Sequence, residues 1–143
     1  DEVSRIHQTG RVGTKGFCMK KPNIKRLKKI CLERVNEIVS IRDNDTCQKC
    51  NQRVYGSNRH RSHVIPKSAG NKLAFDPINI KILCMHHHLN WWNMYPTEAG
   101  KWFSEKFPER AAYLEANKGI KQMKIMDWVE LLEKLTNELD ILK

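Results

Sequence analysis

Apolar residues recur every three or four positions near the start of the chain. Between residues 23 and 42 they stand at Ile24, Leu27, Cys31, Val35, Ile38 and Val39. This spacing predicts an amphipathic helix, and Asn23, directly after Pro22, is a typical N-cap residue. The other face of the predicted helix carries four basic residues, Lys25, Arg26, Lys28 and Lys29.

The middle of the chain contains shorter apolar runs that turn-forming residues interrupt. Strands are predicted at residues 59–65 and 80–83, with breaks at Pro66 and Gly70 between them. Helices are predicted to follow at residues 86–95, 97–108 and 108–116, with Thr97 as the cap of the second.

A second helical stripe lies near the end of the given sequence. Its apolar positions are Val129, Leu132, Leu135, Leu139 and Leu142. Residues 127–130 fit a capping box, so we expect the helix to begin there. The stripe is predicted to pack on the domain core, and a contact between two copies of the chain is the alternative.

Together these elements predict an α+β fold in three segments. Residues 1–22 combine spaced glycines with basic residues and are interpreted as a flexible basic arm. Residues 23–95 are predicted to form the first helix and a compact core, and residues 96–143 a helical extension. No apolar run approaches the ~20 residues that cross a bilayer, and no signal-peptide pattern is present. We therefore expect a cytoplasmic protein that does not bind a membrane.

Positive charge is concentrated in the first two thirds of the chain. The net charge is +10; residues 1–95 contain 18 Lys and Arg against 7 Asp and Glu, whereas residues 96–143 contain 8 against 9. A basic body of this kind favours a polyanionic partner, most often nucleic acid. Oligomeric state does not follow from the sequence, and both a monomer and a homodimer fit it.

Two pairs of potential metal ligands have the spacing of zinc knuckles. Cys47-x-x-Cys50 and Cys84-x-x-His87 each leave two residues between ligands, which lets both side chains face one ion. The odd number of cysteines, five, argues against a disulfide framework and favours a metal site. We therefore predict a structural zinc site, with His86 either exposed or an alternative ligand. Cys31 lies outside it and is expected to be buried.

A His, an Asn and a second His, at positions 63, 79 and 88, are interleaved with this zinc frame. Neighbouring helical side chains point about 100° apart, so His88 can face away from the zinc. Phosphodiester hydrolysis needs a base for water and a cation for the phosphate charge. A neutral His suits the base near pH 7, a second His can hold a divalent ion, and an Asn can fix a loop.

Four stretches of the chain occur in an informative order. They are Ile41-Arg42-Asp43 before the first knuckle, Ser62-His63-Val64-Ile65-Pro66, Leu73-Ala74-Phe75-Asp76-Pro77-Ile78-Asn79-Ile80, and Leu83-Cys84-x-x-His87-His88. This order resembles the HNH (His-Me finger) endonucleases, above all the phage branch that includes the NinG/Rap recombination proteins. Further positions that match phage members are Trp91, Trp92, Pro96 and Trp102.

The resemblance implies a ββα-metal core and a role for each matched residue. His63 would be the general base on a hairpin, Asn79 would hold the hairpin loop, and His88 would bind Mg²⁺, Mn²⁺ or a similar ion. The zinc held by Cys47, Cys50, Cys84 and His87 would be structural. It also implies a bacterial or phage-infected cell as the setting, with the protein associated with DNA.

Two positions depart from the family pattern. Many members have Asp or His just before the base as a second ion ligand, whereas this chain has Ser62, a much weaker ligand. His87 stands where a cysteine is commoner, an exchange that zinc tolerates.

The sequence therefore predicts a metal-dependent DNA endonuclease that nicks or cuts its substrate. Its predicted DNA-binding residues are Arg59, Arg61, Lys67, Lys72, Lys25, Arg26, Lys28 and Lys29. Trp91 and Trp92 could stack on bases, but packing in the core is the favoured interpretation. A zinc-supported DNA-binding module with weak or no catalysis is the alternative, and a zinc scaffold for protein partners is a third.

Overall fold

The computed structural model describes residues 23–69, 71–119 and 122–143. The predicted basic arm at residues 1–22 lies outside these ranges. The described residues form two compact units. The terminal unit combines the residues up to Val35 with Met123–Lys143, and the central unit is Asn36–Gln122.

Helix α1, Ile24–Asp43, begins at the predicted cap, because the backbone N–H of Arg26 donates to Asn23 Oδ1 at 2.7 Å. In the terminal unit it buries Leu27, Ile30, Cys31 and Val35. The expectation that Cys31 is buried is confirmed, and its thiol lies 3.9 Å from the carbonyl oxygen of Trp128. Burial raises the pKa of Cys31 to about 12, so this thiol is inert.

The last helix begins earlier than predicted. It spans Ile125–Leu142, and the backbone N–H of Lys124 donates to Asp127 Oδ2 at 2.8 Å. Asp127 is thus the third residue of the first turn rather than the cap. Leu132, Leu135 and Leu139 of the predicted stripe are buried, together with Trp128, which the apolar spacing did not select. Val129 is half-buried, and Leu142, in the last turn, is exposed, so the prediction was wrong for Leu142. This helix is numbered α6 below.

The central unit is built on a two-stranded antiparallel hairpin. Strand β1, His60–His63, pairs with β2, Ile80–Leu83, and His63 lies opposite Ile80. All four residues of β2 are buried, which accounts for its apolar run. Strand β1 ends before the predicted residue 65, because the backbone of Ile65 hydrogen-bonds to the side chain of Asn79 instead of a strand.

In the described part of the central unit, four α-helices follow β1, together with the short 3-10 helices Lys67–Ala69 and Pro77–Asn79. Helix α2, Asn71–Ala74, is one turn, and α3, Met85–His87, continues directly as a π-helical turn, His88–Trp92. Helices α4, Pro96–Lys106, and α5, Pro108–Asn117, come next. Helix α4 begins at Pro96 and not after a cap at Thr97. Proline is favoured at the first position of a helix, because the N–H that it lacks would have no hydrogen-bond partner there.

Helices α4 and α5 pack on the hairpin loop. Leu73, Phe103 and Leu114 are buried in one cluster, against which Trp92 and Trp102 pack. Residues 96–119 therefore group with the core, whereas the predicted division placed a boundary after residue 95. The architecture is α+β with a small sheet, as predicted. No helix in the described part of the chain has the length and apolar character to cross a membrane.

Candidate metal centre and histidine cluster

Four ligand atoms converge at the end of the hairpin. The Cys47, Cys50 and Cys84 sulfurs and a His87 ring nitrogen lie within 4.8 Å of one another. His87 Nδ1 is 3.2 Å from Cys84 Sγ and 3.8 Å from Cys47 Sγ. Ligands of a tetrahedral zinc stand ~3.6–3.8 Å apart, given bonds of ~2.1–2.3 Å. The four predicted residues are thus brought together and can hold a metal ion such as zinc.

The backbone explains why the two knuckles meet. An isolated antiparallel bridge between Thr46 and Arg53 closes the turn that contains Cys47 and Cys50. Asn51, directly after Cys50 in this turn, adopts a left-handed φ of 63°. The N–H of Gln48 donates to the carbonyl of Ile82 on β2 at 3.0 Å. This contact fixes the first knuckle beside the strand that leads into Cys84.

The thiols of this cluster differ in acidity. Burial opposes ionisation of Cys47, but hydrogen bonds from backbone N–H groups, that of Cys50 first, outweigh it and lower its pKa. Burial raises the pKa of Cys84 to about 11, and the charge of Cys47 adds to the rise. Crowded thiols that resist joint ionisation fit a site that binds a cation, because a metal ion deprotonates its thiol ligands. His86 is exposed and is not one of the converging residues.

Asn79 is fully buried and holds the hairpin loop by three hydrogen bonds. Its Oδ1 accepts from the N–H of Ile65 at 2.8 Å, and its Nδ2 donates to the carbonyls of Ile65 at 2.9 Å and Leu73 at 3.0 Å. The loop that leaves β1 after His63 is therefore fixed by one side chain. This geometry agrees with the loop-holding role that the resemblance implies.

Two arginines hold the backbone on either side of Asn79 by hydrogen bonds to its carbonyl groups. Arg42, at the end of α1, donates to the carbonyls of Pro77 and Ile80 and pairs with Asp43 at 2.8 Å. Arg110 of α5 donates to the carbonyls of Ile78 and Ile80. Asp43 in turn accepts from the N–H of Ile82 at 2.9 Å. The Ile41-Arg42-Asp43 motif thus anchors α1 to the turn that carries Asn79.

His63 is half-buried, and a carbonyl fixes its tautomer. Its Nε2 lies 2.9 Å from the carbonyl oxygen of Ala74, so Nε2 must donate and therefore carries the proton. Nδ1 of the neutral ring is then the basic nitrogen. Burial, and to a smaller extent Lys67 and Lys81, lowers the pKa of His63, against the raising effect of the Ala74 contact. The ring is neutral at pH 7, as a general base must be.

His88 pairs with a histidine that the sequence motifs did not indicate. Its Nδ1 lies 2.8 Å from Nδ1 of His60, the first residue of β1, with ring centroids 5.0 Å apart. Burial, followed by repulsion from His60, Lys81 and His63, lowers the pKa of His88 to about 4. One sequence feature pointed to His60. Side chains alternate along a strand, so His60 lies on the same face of β1 as Ser62, a predicted ion ligand.

Ser62 faces a closed environment. Its side chain is fully buried, and its Oγ lies 2.8 Å from Nζ of Lys81, which is also fully buried. Lys81 Nζ is 3.2 Å from the ring centroid of Trp92, and burial lowers its pKa well below the usual value. A buried hydroxyl bonded to an amine is poorly suited to the ion-ligand role predicted for Ser62.

The predicted DNA-binding residues fall into two groups. Arg59 and Arg61 are partly buried and engaged within the protein, Arg59 with Asp45 at 3.0 Å and Arg61 with Ser40 Oγ at 3.1 Å. Lys28 lies 5.4 Å from the Trp128 ring. The exposed members are Lys25, Arg26 and Lys29 in the terminal unit and Lys67 and Lys72 in the central unit.

The two tryptophans after the ligand helix differ in how they pack. Trp92 lies against the cluster of Leu73, Phe103 and Leu114. Trp91 is half-buried, its ring centroid 5.3 Å from that of Trp102, and its Nε1 donates to Glu98 at 2.9 Å. The interpretation as a core residue is therefore confirmed for Trp92, whereas Trp91 lies at the edge of the protein surface.

No family model, curated protein or solved structure matches this chain. The likeness to HNH endonucleases therefore rests on the ordered motifs of the sequence and stays a prediction.

Proposed function

We propose that this protein is a metal-dependent DNA endonuclease of the HNH type, with His63 as the general base of phosphodiester hydrolysis. The observation that carries the proposal is the tautomer of His63. Its Nε2–H is committed to the Ala74 carbonyl, which leaves a basic Nδ1 on a neutral, half-buried ring. An isolated surface histidine has no such fixed orientation.

The surrounding residues support this role. Asn79 fixes the loop that follows His63, so the ring is held by its own hydrogen bond and by a rigid backbone. Burial is the main cause that lowers the pKa of His88 to about 4. His88 is neutral and can act as a metal ligand. A divalent ion bound there would stabilise charge on the phosphate and on the leaving oxygen.

DNA is the substrate that the charge distribution favours. The exposed lysines Lys67 and Lys72 flank the loop that follows His63, and Lys25, Arg26 and Lys29 form a basic face in the terminal unit. Contacts of such groups with phosphates give affinity that falls with salt and depends little on sequence. Arg59 and Arg61 bond to other side chains of the protein, so we assign them to the support of β1 and not to contacts with DNA.

The environment of Ser62 favours a second candidate, a zinc-supported DNA-binding module with weak or no catalysis. The position that supplies an ion ligand in many HNH enzymes is here buried against Lys81. If no other group replaces that ligand, the ion would be held too weakly for efficient cleavage.

A plasmid assay separates the two candidates. Supercoiled DNA is incubated with wild type and with His63→Ala, in Mg²⁺ or Mn²⁺ and in chelator. The endonuclease proposal predicts open-circular or linear product with wild type and metal, and a loss of rate of at least about 100-fold in His63→Ala. His86→Ala, an exposed neighbour of the cluster, is the matched control and should cut like wild type.

Two results would count against the endonuclease proposal. Cleavage that is indifferent to His63→Ala would exclude this residue as the base. Salt-sensitive gel shifts by both proteins without any cleavage would favour the binding module.

A further inference from the structure

The hydrogen bonds of His60 determine the protonation of both rings in the His60–His88 pair. His60 Nε2 lies 3.0 Å from the carbonyl oxygen of Ser57, so the neutral ring carries its proton on Nε2. Nδ1 of His60 therefore presents a lone pair. The contact of 2.8 Å between the two Nδ1 atoms then requires His88 Nδ1 to donate. The proton between the two rings is therefore on His88 Nδ1. Without it, the Nδ1 atoms of both rings present a lone pair.

This arrangement has the features of a two-histidine ion site. Two nitrogens at neighbouring positions of an octahedral ion stand ~3.0 Å apart, given bonds of ~2.1 Å, and the observed separation is 2.8 Å. A metal-bound histidine commonly donates its other N–H to a backbone carbonyl, as His60 donates to Ser57. Both rings are half-buried, which limits the number of alternative orientations.

We propose that His60 is a second protein ligand of the divalent ion, with His88 as the first and both binding through Nδ1. His60 thereby replaces the ligand that Ser62 cannot supply. Binding of the ion displaces the proton that the two rings share, and His88 carries its proton on Nε2 instead. The role of this ion in cleavage rests on the proposed function, whereas its binding does not.

The ligand set also gives the site a metal preference. Nitrogen ligands bind first-row transition-metal ions with an affinity that rises from Mn²⁺ through Co²⁺ to Ni²⁺, whereas Mg²⁺ prefers carboxylate, carbonyl and water oxygens. In the described part of the chain, the Cys47 cluster is the one group of three or more His, Cys, Asp or Glu ligands that converge. Two neutral ligands therefore predict moderate affinity, a preference for Mn²⁺ over Mg²⁺, and remaining positions open to water and phosphate.

Binding is tested on the full zinc-loaded chain without DNA. Mn²⁺ is titrated in, and the electron paramagnetic resonance signal of free Mn²⁺ measures the bound fraction. The variants are His60→Gln and His88→Gln, which keep polar side chains of similar length, with His86→Ala as the control. We expect one Mn²⁺ per wild-type chain beyond the zinc, a Kd raised at least about ten-fold in both Gln variants, and no change in His86→Ala. Thermal unfolding of each variant verifies that the hairpin is retained.

The outcomes distinguish this proposal from the proposed function. No Mn²⁺ binding by wild type, or equal binding by wild type and folded His60→Gln, overturns the role of His60. If His63→Ala abolishes cleavage while His60→Gln cuts and binds like wild type, the endonuclease stands and the His60 ligand does not. If His60→Gln and His88→Gln lose Mn²⁺ but wild type never cuts DNA, the ion site stands without the enzyme.

Discussion

At the scale of single residues, backbone carbonyls determine which ring nitrogens are basic. Ala74 fixes the proton of His63, and Ser57 fixes that of His60. Residue types and spacing in the sequence predict roles for His63, Asn79 and His88, and these roles stay predictions. They could not reveal His60, because its partner Ser57 comes from a short loop and its second contact, His88, is 28 residues away.

The lowered pKa of His63 has a consequence for activity. A general base works when it is unprotonated, so a pKa below the usual value of about 6.5 keeps His63 active under mildly acidic conditions. The midpoint of the decline in cleavage rate at acidic pH should therefore lie below 6.5. Single-turnover nicking between pH 5 and 8, with saturating Mn²⁺, measures this. A decline centred above pH 6.5 would contradict the buried environment of His63.

The lowered pKa of His88 predicts how stability depends on pH in the absence of added divalent ion. The unfolded ring has a pKa of about 6.5 and the folded ring about 4, so the unfolded state binds more protons between these values. Stability is therefore complete above pH 6.5 and is lost as pH falls toward 4. Urea unfolding of His88→Gln should show a weaker dependence over this range than wild type. If the free energy of unfolding depends on pH equally in both proteins, His88 is not the cause of that dependence.

Substitution of Asn79 tests whether its side chain holds the hairpin loop. Replacing it by Ala leaves the Ile65 N–H, the Ile65 carbonyl and the Leu73 carbonyl without their partner, which should lower the free energy of unfolding by about 2 kcal/mol or more. The exposed Asn93→Ala is the control and should change little. Urea denaturation measures both. A variant as stable as the control would mean that the loop is held by other contacts.

At the scale of elements, the long periodic helices were easier to predict than the irregular connections. The spacing of Leu27, Cys31 and Val35 predicted α1 within one residue of its end. Strand β1 was predicted three residues too long, because the side chain of Asn79 competes for the backbone of Ile65. The π-helical turn, in which the N–H of Asn93 donates to the carbonyl of His88, has no simple sequence signal.

Helix α5 contributes to the site through Arg110. Its guanidinium donates to the Ile78 and Ile80 carbonyls on either side of Asn79, and burial lowers its pKa to about 10. Arg110→Met should keep the aliphatic packing and lose these bonds, which lowers the free energy of unfolding by about 1.5–3 kcal/mol. Arg53→Met, at an exposed position, is the matched control. Equal stability of the two variants in urea would show that α5 does not brace the hairpin.

At the scale of the whole molecule, the predicted zinc frame links segments that are far apart in sequence. The spacing of Cys47, Cys50, Cys84 and His87 was enough to predict the cluster, since each knuckle is local. The division into units was harder to predict. It depends on tertiary contacts, such as those of Arg110 and Phe103, that leave no pattern in a single sequence.

Removal of the metal should unfold the central unit. Cys47→Ser removes one ligand of the frame and should lower both bound zinc, measured by elemental analysis, and Tm, because zinc binding adds to folding free energy. Cys31→Ala, outside the frame, should keep wild-type zinc content although it loses buried volume. A Cys47→Ser protein that folds normally without zinc would contradict a structural role for the cluster.

Chemical rescue by imidazole is the sharpest test of His63 as the general base. Single-turnover nicking by His63→Ala is measured with increasing free imidazole at fixed Mn²⁺, beside wild type under the same conditions. We predict that His63→Ala is slowed at least about 100-fold, that its rate rises in proportion to imidazole, and that wild type does not respond. A His63→Ala protein that cuts as fast as wild type without imidazole would contradict the account.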